Sequence, residues 1–108
     1  MALPILVLST APSSKEALKI ARKVLAARLA ACINIVPSVI SLYRWKGRQE
    51  KASEVLLLIK STKPAFKKLE KVLRENHSYE VPELIALPVT AGSKPYLKWM
   101  FKEIDTRL

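Results

Sequence analysis

His77 is the only imidazole in this chain and Cys32 the only thiol. A transition-metal centre must therefore draw on these two with carboxylates, or repeat them by symmetry across subunits. Cys32, between Ala31 and Ile33, has the setting of a buried small hydrophobe. His77, between Asn76 and Ser78, is a loop residue and the one candidate metal ligand. Lys60 directly follows the apolar run Val55 to Ile59. A partly desolvated ammonium there needs a carboxylate such as Glu54 or Glu83, or a bound anion, although a lysine stem also reaches solvent from a strand end. Tyr43, Trp45, Tyr79 and Trp99 are four of only seven Phe, Trp and Tyr residues. They can line a ligand cleft whose polar groups are Glu54, Lys60 and Glu83. The same aromatics suit a subunit interface, and the two roles are compatible, because ligand sites often lie between subunits.

Several classes fall away. The chain carries no phosphate-cradling glycine loop, no HExxH and no GxSxG, and its two glycines cannot build a dinucleotide fingerprint. No nucleophile or cofactor motif marks an enzyme. Lys60 and Glu83 as acid and base remain the only catalytic option, and the reading is a protein that is not an enzyme. One cysteine excludes an internal disulfide and a Cys-rich zinc site. Nineteen Lys and Arg against nine Asp and Glu give a net charge of +10, which raises an anionic partner. The basic residues recur at helical spacing in no run longer than two, the pattern of solvated helix faces, so nucleic acid is not the expected partner. No apolar stretch approaches the ~20 residues of a membrane span, and Met1 to Leu8 lacks a basic start and a cleavage site. The expectation is a soluble cytoplasmic protein with no membrane partner.

The candidate residues have to be positioned by the elements around them. Ile5 to Leu8 reads as a buried strand stopped by Ser9, Thr10, Ala11 and Pro12. Ser13 and Glu16 have the form of a capping box, and Leu18, Ala21, Val24, Leu25 and Leu29 give the following helix an apolar face to about Ala30. Cys32 to Trp45 is rich in β-formers, Lys46, Gly47 and Arg48 reverse the chain, and Val55 to Ile59 centres the return arm of a long hairpin. That run shows no polar alternation, as expected of a central strand covered on both faces. Pro37 marks an edge strand or a bulge. Thr62 and Pro64 open a second helix with Phe66, Leu69 and Leu73 as its stripe. Leu84 to Leu87 is a fourth strand, and Gly92, Ser93 and Pro95 introduce a last helix carrying Tyr96, Leu97, Met100, Phe101 and Ile104.

The order βαββαβ predicts a single domain over residues 1–108, an α+β ferredoxin-like sandwich with a long protruding β-hairpin and an added C-terminal helix. RNA-recognition domains share this order, but they stack bases on aromatics of the two central strands, which here are aliphatic. The outgoing hairpin arm reaches about 45 Å, while the first helix spans about 25 Å. Half of the arm must overhang its own domain. Natural proteins cover such an apolar edge, so an oligomer built through sheet edges is predicted.

Four segments carry a resemblance: Arg28-Leu29-Ala30-Ala31-Cys32-Ile33-Asn34, Ser41-Leu42-Tyr43-Arg44-Trp45-Lys46-Gly47, Tyr79-Glu80-Val81-Pro82-Glu83 and Tyr96-Leu97-Lys98-Trp99. In this order and spacing they resemble the CutA divalent-cation tolerance proteins over nearly the whole chain. The resemblance implies a ferredoxin-like fold, a trimer interlocked through the long hairpins, and a part in divalent-cation, including copper, tolerance and homeostasis, by weak binding of a divalent ion (copper or zinc) or as a scaffold. Members often carry a Cys where this chain has Ser9 and a His-His pair where it has Asn76 and His77, positions associated with copper. Only His77 remains here, and a hydroxyl and an amide are poor substitutes for thiolate and imidazole. An alternative is a likeness in shape to the trimeric PII signalling proteins, with an inter-subunit cleft lined by Tyr43, Trp45, Lys60, Tyr79, Glu83 and Trp99 that senses a small anion.

Overall fold

The computed structural model describes residues 2–105 and Arg107. Its elements are β1 (Pro4–Ala11), α1 (Ser14–Ala26), β2 (Cys32–Trp45), β3 (Arg48–Thr62), a 3-10 turn (Lys63–Ala65), α2 (Phe66–Asn76), β4 (Ile85–Pro88) and α3 (Lys94–Glu103). The four strands form one antiparallel sheet in the order β2-β3-β1-β4, with α1 and α2 packed on one face. This is the α+β ferredoxin-like sandwich, extended by the hairpin and by α3. No helix among the described residues is long and apolar enough to cross a membrane.

Alternation sorts the sheet's side chains. Ile5 and Val7 of β1 and Val55, Leu57 and Ile59 of β3 are buried beneath Ile20 and Val24 of α1 and Leu69 and Leu73 of α2. Each such side chain contributes about 1.5–3 kcal/mol by leaving water. Leu6 and Leu8 lie opposite Leu87 and Ile85 on one side and opposite Lys60 and Leu58 on the other, so they share the second face. That face stays open in the protomer: Leu6, Leu8, Leu56 and Leu58 are half-buried, and Ile85 and Leu87 are exposed. The lack of polar alternation in Val55 to Ile59 therefore marks a face that this protomer does not itself fully cover.

The hairpin is the molecule's longest feature and sets its extents of 43 × 26 × 22 Å. β1 pairs with Val55 to Thr62 only, so the half in which Val39 to Trp45 pairs with Glu54 to Arg48 has no third strand. Register slips between Val36 and Val39, and Pro37 and Ser38 form the bulge there, with Ser38 at φ 63°. Lys46 (φ 51°) and Gly47 (φ 75°) close a two-residue turn of the type I′ family, which demands positive φ at both positions and matches the strand twist.

Three boundaries differ from expectation. β1 continues through Ser9 and Thr10 to Ala11, because Ser9 and Thr10 pair with Leu57 and Leu56 and the Ser9 hydroxyl donates to the Glu83 carbonyl at 2.7 Å. β4 is shifted by one residue to Ile85–Pro88. α1 ends at Ala26, not near Ala30: Arg28 turns to φ 57°, its N–H returns to the Leu25 carbonyl, and the Leu29 N–H reaches the Val24 carbonyl. This is the Schellman arrangement with arginine where glycine is usual, and Leu29 is buried beside it.

Candidate functional site

Glu16 ties the first helix to the segment after α2. The Ser13 hydroxyl accepts from the Glu16 N–H at 3.2 Å, as a cap should. The expected reciprocal bond is replaced. The Glu16 carboxylate accepts instead from the Ser78 N–H and hydroxyl at 3.1 and 3.0 Å, and it lies 3.4 Å from His77 Nδ1.

His77 follows α2 outside any helix or strand, as expected of a loop residue, but its side chain is 0% exposed. Nε2 lies 2.7 Å from the Thr10 carbonyl, which can only accept, so the proton sits on Nε2. Nδ1 then accepts from the Tyr79 N–H at 3.0 Å. Both ring nitrogens are committed to backbone groups, and the ring packs against Tyr79 with centroids 4.8 Å apart. Asn76 donates back to the Val72 carbonyl, and Ser9 is held by Glu83. Among the described residues no group of three or more His, Cys, Asp or Glu side chains is arranged to hold a metal ion.

By fixing the backbone at 77–79, this network aims Tyr79 at the base of the hairpin. The Tyr79 hydroxyl donates to Glu54 Oε2 at 2.8 Å. Desolvation first, then the hydrogen bond to Glu54 and its charge, push the hydroxyl up to about 12, so it stays a donor at neutral pH. Glu54 is only 8% exposed. Val39, opposite Glu54, and then Ser41, Tyr43 and Trp45 alternate along β2, so Tyr43 and Trp45 emerge on the face that carries Glu54. A cavity of about 550 Å³ opens between this surface and the 79–83 segment. Tyr43, Trp45, Glu54, Tyr79 and Glu83 all line it, with Thr10 and Ser41 adding hydroxyls. Five of the seven cleft candidates thus meet. Thr10 and Ser41 carry no motif and were missed; alternation on β2, counted from Tyr43, would have found Ser41.

Lys60 and Trp99 do not join them. Lys60 lies six residues along β3 from Glu54, about 20 Å away at the rise of a strand. Its ammonium meets neither Glu54 nor Glu83; it donates to Asn34 Oδ1 and lies 3.8 Å from Cys32 Sγ. Cys32 is half-buried among polar neighbours instead of sealed in the core. Burial first, then Cys32, raise the Tyr96 hydroxyl above its ordinary value, and Tyr96 packs on Trp99 with centroids 5.5 Å apart. The two ends of the open face therefore hold an acidic aromatic cavity and a Lys-Cys-Asn-Tyr cluster.

Known proteins resemble this chain in sequence and fold. The chain is 47% identical over 94 residues to the divalent-cation tolerance protein CutA of Thermus thermophilus, covering 87% of this chain and 91% of that one. It is 48% identical over 97 residues to the mouse protein CutA, covering 90% of this chain and 55% of that one, so it spans about half the length of that relative. The solved structure of the divalent cation tolerance protein from Thermus thermophilus superimposes with a TM-score of 0.94 at 43% identity, over 95% of this chain and 100% of that one. A family model described as CutA1 divalent ion tolerance protein matches residues 5–103, and on these grounds the chain belongs to the CutA1 family.

Proposed function

We propose that the protein serves divalent-cation tolerance, copper included, as a cytosolic homotrimer that binds rather than transforms its ligand, with the hairpin cavity as its working part. The observation that carries this reading is the convergence of five candidate residues on one cavity at the base of an overhanging hairpin. Two further features support the assembly. Ile40, Leu42, Tyr43 and Trp45 are 65%, 76%, 45% and 48% exposed on the protomer, more apolar surface than a hairpin in water normally presents. The sheet's free edges are different strands, β2 and β4, and pairing one with the other's copy is a head-to-tail contact, the kind that builds a ring where the rotation between copies closes.

Metal binding at His77 belongs to this reading as a weak event. An ion reaching either ring nitrogen must displace a backbone hydrogen bond, each worth about 1 kcal/mol, and desolvate a sealed side chain. Light scattering and calorimetric titration of the metal-free protein with Cu(II) and Zn(II), beside His77→Ala, test the proposal. Expected are a mass three times the 12.1 kDa of one chain and metal binding weaker than micromolar. A monomer would remove the assembly, and tight binding abolished in His77→Ala would move the working part to the imidazole.

A further inference from the structure

Glu54 is a carboxylate on the wall of the cavity. It is more than nine-tenths buried, in a chain with nineteen Lys and Arg. Yet among the described residues no Lys, Arg or His nitrogen lies within 4.0 Å of its carboxylate. The Tyr79 hydroxyl satisfies Oε2, and Oε1 receives no hydrogen bond from the described residues. Oε1 is therefore the carboxylate oxygen left open to the cavity, where a cation entering from outside can reach it and make a charge-assisted hydrogen bond.

The surroundings select the kind of cation. A bare divalent ion wants several oxygen or nitrogen donors in a shell, and the described residues offer no such group. What lines the cavity is aromatic: Tyr43, Trp45 and Tyr79, with Glu83 as a second carboxylate. Aromatic faces attract weakly hydrated cations by about 0.5–2 kcal/mol and reward the carbon attached to them. The cavity's volume of about 550 Å³ suits a small organic molecule.

We propose that the hairpin cavity is a receptor for a primary alkylammonium ion, whose N–H donates to Glu54 Oε1 while its carbon chain packs on the aromatic wall. This inference rests on the reading of the cavity as the ligand site and names the ligand class. A chain of net charge +10 repels cations at large, so saturable capture of one is not a background effect.

The test is titration of the full-length protein, in its native assembly, with 1,4-diaminobutane, followed by calorimetry and tryptophan fluorescence. Succinate serves as the anionic control. Expected are saturable binding of the amine and no binding of succinate. Glu54→Gln, which keeps the shape and an acceptor for Tyr79, should bind the amine at least about tenfold more weakly. Trp45→Leu, on the aromatic wall of the cavity, should weaken it several-fold at unchanged mass and gives a second reading if Glu54→Gln folds poorly. No saturable binding by the wild type, or equal binding by both variants, overturns the inference. Cu(II) and Zn(II) titrations and a mass measurement on the same sample keep the two readings apart. Metal binding by a trimer that ignores amines sinks this inference alone, whereas a monomer sinks the assembly and leaves the amine titration to decide this one.

Discussion

Tyr79 and His77 show how single side chains hold the cavity in shape. The Tyr79 hydroxyl is held up to about 12 by partial burial and by Glu54, against 10 in a free chain. A raised value means that the folded state keeps this proton more tightly than the unfolded chain does. Its stabilising contribution is therefore whole below pH 10 and is lost as pH rises toward 12. Thermal melts across that window should fall more steeply for the wild type than for Tyr79→Phe, and parallel curves would show that the Glu54 bond carries no stability. His77 acts through packing and two backbone bonds. Urea unfolding of His77→Ala should show a loss of about 1–3 kcal/mol in metal-free buffer, since the Thr10 carbonyl is left without its partner. A loss that appears only with added metal would give the imidazole a ligand's role instead. Half of this network was legible in the sequence. Ser13 with Glu16 announced the cap, but nothing near position 16 says that its carboxylate serves Ser78, because that partner is sixty-two residues away and is brought close by the α1 and α2 packing.

Elements begin and end where the backbone is forced, and two forced positions here are occupied by long basic residues. Arg28 takes positive φ without being glycine, at a cost of about 1 kcal/mol. In return its guanidinium donates to the Glu103 and Lys102 carbonyls at 3.1 and 2.9 Å, capping the C-terminal turn of α3, and its own carbonyl accepts from Asp105 N–H. Arg28→Ala keeps the strain and loses the cap, so chemical unfolding should register a loss of about 1–2 kcal/mol. An unchanged midpoint would mean that α3 is held by Met100 and Ile104 alone. Lys46 is the contrasting case: it takes positive φ in the hairpin turn and makes no side-chain hydrogen bond among the described residues. Lys46→Asn should therefore gain about 0.5–1 kcal/mol, read as a higher melting temperature. The end of α1 was misplaced by sequence reasoning for the same reason, since an arginine at a left-handed position gives no signal of the kind glycine or asparagine would. The hairpin was located well, because the β-forming run is long and Lys46 and Gly47 interrupt it once.

At the scale of the whole molecule, length arithmetic told more than any motif. A fourteen-residue strand beside a thirteen-residue helix must overhang, since a strand rises more than twice as far per residue. The open sheet face was harder to see. Leu56 and Leu58 look like core residues in sequence, and only the placement of both helices on the other face shows that their own protomer leaves them half covered. Apolar residues on both faces fit the proposed assembly, in which helices cover one face and copies of the chain the other. The overhanging half of the hairpin carries a further apolar pair, on the face opposite Glu54. Ile40 and Leu42 are 65% and 76% exposed on the protomer, so for a molecule that works alone Ile40→Lys with Leu42→Lys should change stability by no more than about 0.5 kcal/mol per site. If neighbouring hairpins cover them, two buried ammonium groups per subunit cost several kcal/mol and oppose association. The expected result is a double variant whose scattering mass falls toward one chain and whose melting temperature, unlike a constant one, rises with protein concentration. A variant that keeps the wild-type mass and melts at the wild-type temperature would place these side chains in water and leave the hairpin without the role proposed for it.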